Sequence, residues 1–242
     1  MKLGKLAPKQ DRRTLAIRSV LLKQVTPPTT YSFDDEHPGL PLPMFANDQY
    51  GDCVIAARAH QTIRFELQEQ GRVIRITDDD VLKAYFRETG GDDTGLVMLD
   101  SLNVWRNTGF RVGNRTYKIK AYGAVSPRRK SDVKQVIYAD IGVYTGLALP
   151  LSAQAELNAG KPWSKTSGAG STPGSWGGHC VYVCGYNVNG PIGITWGKRQ
   201  AMTWAWFAKY CDEAYAVLDA INTAKKSLVI DQDALDSYLA SL

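Results

Sequence analysis

Two stretches of the chain hold side chains able to do chemistry together. The first is Asn47-Asp-Gln-Tyr-Gly-Asp-Cys53, which runs on into Val54-Ile-Ala-Ala57. Asp52 is suited to cap a helix, and Ala56, His60, Ile63 and Leu67 recur at helical spacing behind it, which predicts one buried stripe. Cys53 therefore falls in a first helical turn, where unpaired N–H groups and the helix dipole lower a thiol pKa. A cysteine without such activation is more often a small buried apolar residue. The second stretch is Gly177-Gly-His-Cys-Val-Tyr-Val-Cys-Gly-Tyr186, with His179 placed 126 residues after Cys53. Its two glycines clear room for a substrate backbone, and His179 can act as base and then as acid. A thiolate and an imidazolium stabilise each other, so such a pair suits acyl transfer through a thioester. His60 is a poorer partner, being two turns along the same helix and about 10 Å from Cys53. His37 lies in the proline-rich run His37-Pro-Gly-Leu-Pro-Leu-Pro43.

A helix-borne cysteine, a strand-borne histidine and a following Ile194-Thr-Trp-Gly197 resemble the papain-like cysteine protease superfamily, over about residues 47–218. In that family the histidine and asparagine follow the cysteine by roughly 130–150 residues. The resemblance implies an α+β fold of two lobes, a helical one and an antiparallel β-sheet one, with the site in the cleft between them. It implies Cys53 as nucleophile and His179 as base. It places Asn47 where the family has its oxyanion glutamine; Gln49 is the alternative, at the wrong spacing. The backbone N–H of Cys53 is the second oxyanion donor. The family's Asn-Ser-Trp-Gly is altered here. Counted from His179, Thr195 takes the asparagine's place; counted back from Trp196-Gly197, Ile194 does. A threonine hydroxyl can accept the ring N–H and an isoleucine cannot. Gly95 and Gly178 are expected to wall the substrate backbone. No cofactor and no metal are implied. A peptide or protein is the expected substrate, and the leading function is a thiol-dependent hydrolase, a cysteine peptidase. The Ile194-Thr195 departure and the shorter Asn47 motivate the alternative, a catalytically degraded papain-fold scaffold or binding module. The same Gly-Asp-Cys, Gly-Gly-His and Thr-Trp-Gly pieces resemble uncharacterised papain-fold proteins of bacteria and their phages. That implies a phage, prophage or virion setting as one option.

The bulk of the chain narrows the class. Its 242 residues suffice for a sizeable core without staples. A net charge of +5 with no long basic block argues against nucleic-acid binding. No apolar run reaches the length of a membrane span, and residues 1–22 are too polar for a signal peptide. The four cysteines, 53, 180, 184 and 211, have no metal spacing, and Cys180 and Cys184 share a strand face. A disulfide framework is not expected, which suits a reducing, cytoplasmic compartment. Secreted relatives usually carry a cysteine three residues before the nucleophile, where this chain has Tyr50.

The elements that must position the site follow from periodicity. Residues 1–46 read as an arm, free to wrap the body or dock a protein partner, with a short helix over 14–23. The domain proper is expected at 47–242: a helical lobe over about 47–112, a β-rich lobe over about 113–220, and a C-terminal helix. The cysteine helix should run to about Gln70. A second helix is expected over 77–89 and a third over 96–107. Residues 115–122 alternate as one strand, 131–139 as a helix and 141–149 as a buried strand. The polar, glycine-rich stretch 152–175 is expected to form a mobile rim beside the cleft. Strands over 179–186, 193–196 and 214–218, a helix over 204–211 and an amphipathic helix over 231–242 complete the reading.

Overall fold

The computed structural model describes residues 1–22, 25–221 and 223–241. In the first part of the chain the elements are β1 (Leu15–Ala16), a 3-10 turn (Ile17–Val20), β2 (Tyr31–Ser32), α1 (Phe33–Glu36), α2 (Cys53–Gln70), α3 (Asp78–Thr89) and α4 (Met98–Asn107). Then come β3 (Phe110–Val112), β4 (Arg115–Tyr117), β5 (Ala121–Ala124), α5 (Lys130–Tyr138), β6 (Val143–Leu149), α6 (Leu151–Asn158) and β7 (Gly177–Tyr186). The chain closes with β8 (Pro191–Thr195), β9 (Lys198–Ala201), α7 (Trp204–Tyr210), β10 (Cys211–Leu218), α8 (Ala224–Val229) and α9 (Gln232–Ala240).

The main sheet has the order β1-β5-β10-β6-β7-β8-β9, with β2 also paired to β7. Apart from the parallel β1–β5 pair its neighbours are antiparallel. Side chains alternate across a strand, and here both faces are buried. Val181 and Val183 of β7 enter a core shared with α5 and α7, whereas Cys180, Tyr182 and Cys184 enter a second core shared with α2, α3 and α4. This is the expected α+β arrangement of a helical lobe against a β-rich one. It sets the start of α2 directly on β7, the strand that carries His179.

Helix α2 is buried on every side from Cys53 to Glu66, so its buried surface is wider than the single apolar stripe read from periodicity. Its polar residues find partners that sequence spacing does not reveal. Arg58 pairs with Glu88 and Ser101, Gln61 donates to the Ile141 carbonyl, and Arg64 grips Asp34 of α1 through two hydrogen bonds of 2.8 and 2.7 Å. Arg64→Ala leaves the Asp34 carboxylate buried and is expected to destabilise the chain by roughly 3–5 kcal/mol. Removing both charges should recover part of that loss in denaturant unfolding; a single variant as stable as wild type contradicts it.

Several boundaries differ from the sequence reading. Residues 115–122 are two strands. β4 folds back on β3 as a hairpin and β5 joins the main sheet. In the leading arm, β1 and a 3-10 turn stand where a helix was expected over 14–23; Lys23 lies outside the described residues. The stretch 152–175 is no loose rim throughout: α6 occupies its start, and Trp163 is buried and stacked on Trp206 at 4.9 Å. A polar, glycine-rich composition hides such an anchor, because a single buried tryptophan leaves no apolar periodicity. α9 starts after Asp231, whose side chain accepts from Ala234 N–H; Leu242 lies outside the described residues.

Candidate active site

Cys53 opens α2, so its own backbone N–H is one of the helix donors that no intrahelical carbonyl can reach. Its thiol accepts from the Cys180 N–H at 3.4 Å, which fixes it against β7 one residue from His179. Asp52 holds the N-cap position by its backbone, but its side chain caps nothing. Instead Asp52 Oδ1 accepts from Asn47 Nδ2 at 2.9 Å, and Asn47 Nδ2 also donates to the Tyr50 carbonyl at 3.2 Å. Both amide hydrogens of Asn47 are thereby engaged, so in this structure Asn47 braces the turn before Cys53 and is not poised as an oxyanion donor. Burial pushes the Asp52 carboxyl up to about 8. Gln49 is exposed.

His179 is fully buried in β7. Its Nε2 lies 2.6 Å from Thr195 Oγ1. With the proton on Nε2, the ring donates to the hydroxyl, and the Nδ1 lone pair is left without a hydrogen-bond partner. Of the two candidates for the third position, Thr195 is the one that faces the ring; Ile194 points into the helical-lobe core. The next residue is held by the β8–β9 hairpin. Trp196 and Gly197 both have positive φ, +44° and +71°, the backbone of a two-residue turn matched to strand twist. Tryptophan is a costly residue for that conformation. Its ring stacks on His179 at 4.0 Å and 11°, with Trp176 beyond it at 5.5 Å. The imidazole is thus fixed by a hydroxyl at its edge and an indole on its face.

The cleft is occupied by the chain's own first residues. Lys5 N–H donates to the Gly178 carbonyl at 3.1 Å, Leu6 N–H to the Leu96 carbonyl at 2.9 Å, and Leu96 N–H to the Gly4 carbonyl at 2.8 Å. Lys2 ties the segment down through an ion pair with Asp93 and a 3.0 Å bond from its N–H to the Asn47 carbonyl. Gly95, at φ +79°, and Gly178 are the residues that permit this: a Cβ on Gly95 would strike the Gly4 carbonyl, and one on Gly178 the Lys5 carbonyl. Both predicted backbone walls therefore line a peptide, and that peptide is internal. Lys5, Gly4 and Trp176 escaped the sequence reading; a lysine and a glycine near the start of a chain carry no local signal of burial.

The occupant dries the site. Burial pushes the Cys53 thiol up to about 12, outweighing the help of the Cys180 and Gly4 N–H groups. Burial also pulls His179 down to about 3. The closed site holds a thiol and a neutral imidazole, with no hydrogen bond between them. A consequence for stability follows with a definite sign. The unfolded chain binds the His179 proton near pH 6.5 and the folded chain only near 3, so stability falls as pH drops through that window, by about 1.4 kcal/mol per unit. Urea unfolding at pH 7 and pH 5 should show the loss; equal stability at the two values contradicts it.

Solved structures share this arrangement of elements. Xylellain, a cysteine protease from Xylella fastidiosa, superposes with a TM-score of 0.71 at 16% identity, covering 90% of this chain and 96% of its own. The fold is papain-like. Procathepsin B S9 from Trypanosoma congolense matches with a TM-score of 0.62 at 12% identity over 89% of this chain and 85% of its own. The Carica candamarcensis cysteine protease CMS1MS2, in complex with E-64, matches with a TM-score of 0.59 at 12% identity over 79% and 99%. Neither a protein-family model nor a curated protein sequence matches the chain. Among the described residues no cluster of three or more His, Cys, Asp or Glu side chains is arranged to hold a metal ion, and no helix is long and apolar enough to cross a membrane.

Proposed function

We propose that the protein is a thiol-dependent hydrolase, a cysteine peptidase that forms an acyl-enzyme on Cys53. The observation that carries the reading is the peptide already lying across the thiol, bonded through its backbone to Gly178 and Leu96. A cleft that binds backbone in this way recognises peptides. In the open site, His179 Nδ1 takes the Cys53 proton, the thiolate attacks a carbonyl, and the imidazolium returns the proton to the leaving amine. Water then hydrolyses the thioester with His179 as base. The Cys53 N–H supplies an oxyanion donor from the helix end.

Thr195 acts through His179. A hydroxyl on a short, stiff stem holds the ring less firmly than a carboxamide does. Thr195→Val is expected to slow acylation of Cys53 on the order of ten-fold, about 1.4 kcal/mol, with the fold intact, while Thr195→Asn keeps or raises the rate. Equal rates for Thr195→Val and wild type remove Thr195 from the mechanism.

A second reading is favoured by the neutral state of the closed pair: a papain-fold binding module whose thiol and imidazole have no chemical task. Turnover separates the two. A quenched fluorogenic peptide pool should be cleaved by a chain whose first residues have been displaced and left intact by its Cys53→Ser counterpart; no Cys53-dependent cleavage supports the module.

A further inference from the structure

We propose that Asp93 is a positioning residue of the cleft: through the Tyr85 hydroxyl it holds the Gly95–Leu96 backbone edge, and through the Gly51 N–H it holds the turn before Cys53. Its effect on turnover rests on the hydrolase reading above; its effect on peptide binding does not.

The edge needs such a brace. Peptide backbone is bound through the N–H and carbonyl of Leu96, which bond Gly4 and Leu6 of the leading segment. Among the described residues Leu96 belongs to no strand, and it pairs with Lys5 in an isolated parallel bridge. When the segment leaves, no sheet keeps the edge in place. The Leu96 side chain is buried in the helical-lobe core, which anchors the side toward α4. On the other side, residues 90–94 are exposed and carry no apolar side chain to bury.

What that side carries is Asp93. Tyr85 is buried in α3, and its hydroxyl donates to Asp93 Oδ1 at 2.7 Å while accepting from the Gly95 N–H at 2.8 Å. The same Oδ1 accepts from the Gly51 N–H at 2.8 Å. One carboxylate oxygen therefore ties together the two sides between which a peptide lies. The fit is close: a Cβ on Gly51 would stand 3.1 Å from Oδ1. Burial would raise the Asp93 carboxyl, yet the bonds from Lys2, Tyr85 and Gly51 hold it below its ordinary value, so it is charged at neutral pH. Its other oxygen, Oδ2, is the one that pairs with Lys2, so the closing segment uses an atom that the brace leaves free. Two of the groups held in this way, Gly51 and Gly95, are held by main chain. Main-chain position is what a peptide-binding edge and a backbone oxyanion donor depend on, and a displacement of about 1 Å there is costly.

The test uses the full chain with Gly4→Val, which displaces the leading segment, and Cys53→Ser, which prevents turnover. Calorimetry measures binding of acetyl-Leu-Gly-Lys-Leu-Ala-amide, the chain's own residues 3–7, which leaves out Lys2 and with it the ion pair to Asp93. Asp93→Ala should weaken the peptide on the order of ten-fold, the size of a lost hydrogen bond to a charged group. Asp93→Asn should restore most of that loss, because a carboxamide oxygen can still accept from both Tyr85 and Gly51. Tyr85→Phe should weaken the peptide to a similar extent, and Asp93→Ala added to it should cost no more than about two-fold further, since the edge is held through the hydroxyl. Unchanged affinity in Asp93→Ala, failure of Asp93→Asn to restore it, full additivity with Tyr85→Phe, or no binding of the peptide to the parent overturns the proposal. A purely structural role would give the first of these, a lower urea midpoint with the affinity of the folded chain unchanged. Should Asp93→Ala fail to fold, Tyr85→Phe, which keeps the buried ring, decides alone: a loss supports the brace and unchanged affinity overturns it. The Cys53 form reads the other half. With the fluorogenic peptide pool, Asp93→Ala should slow Cys53-dependent cleavage and Asp93→Asn should restore it. Affinity that follows Asp93 without Cys53-dependent cleavage in the parent keeps the brace and removes the hydrolase. Cleavage in the parent with an affinity indifferent to Asp93 does the reverse.

Discussion

Gly4→Val is expected to raise the rate at which iodoacetamide alkylates Cys53 at pH 7.5 on the order of a hundred-fold. Gly4 packs so closely on the turn before Cys53 that a Cβ would overlap the Gly51 carbonyl oxygen. That atom is backbone and cannot swing aside, so the leading segment must leave. With it go the three backbone hydrogen bonds to Gly178 and Leu96. The thiol pushed up to about 12 by burial then returns to water at the end of a helix. The thiolate is the reactive form, and helix N-termini and an imidazolium partner both lower a thiol pKa, so the reactive fraction grows by orders of magnitude. Mass spectrometry of the Cys53 peptide over time measures it. The other three cysteines are buried and serve as internal controls. A Gly4→Val chain that alkylates at the wild-type rate would mean that the segment does not gate the thiol.

His179→Ala, made in that opened chain, is expected to lower turnover of the fluorogenic peptide pool by roughly 10²–10⁴-fold. In the proposed mechanism the imidazole takes the thiol proton and returns it to the leaving group. His60 is buried against Phe45 and lies further along α2. A fall in kcat with KM unchanged places the loss in chemistry. Turnover within three-fold of the parent would remove His179 from the mechanism.

Much of this site was legible from residue types. A cysteine behind Asn-Asp-Gln-Tyr-Gly-Asp and a histidine behind two glycines announce themselves, because helix starts and close backbone approaches constrain sequence locally. Gly95 and Gly178 were legible for the same reason, although the peptide they admit is the chain's own. Thr195 and Ile194 could not be separated by counting; which of two adjacent strand residues faces the histidine is set by the β7–β8 register, where an irregularity between Val183 and Gly185 intervenes. The resemblance places Asn47 at the oxyanion, whereas its amide is held by Asp52 and Tyr50, a local bond that the motif does not exclude. The full burial of α2 was hidden because the partners of Arg58 and Arg64 lie 30 residues away in sequence. Lys5 was invisible for the strongest version of that reason: its ammonium pairs with Asp212, 207 residues away.

The pH dependence of Cys53 alkylation in the Gly4→Val chain tests the central claim most directly. A thiolate–imidazolium pair stays reactive well below the ordinary thiol range, so the profile should show a plateau reaching down to about pH 5. His179→Ala should erase that plateau and leave a single rise with a midpoint near 8.5. A single rise near 8.5 in both chains would contradict the account, and would leave the cleft as a peptide-binding groove in which Cys53 and His179 are neighbours without being partners.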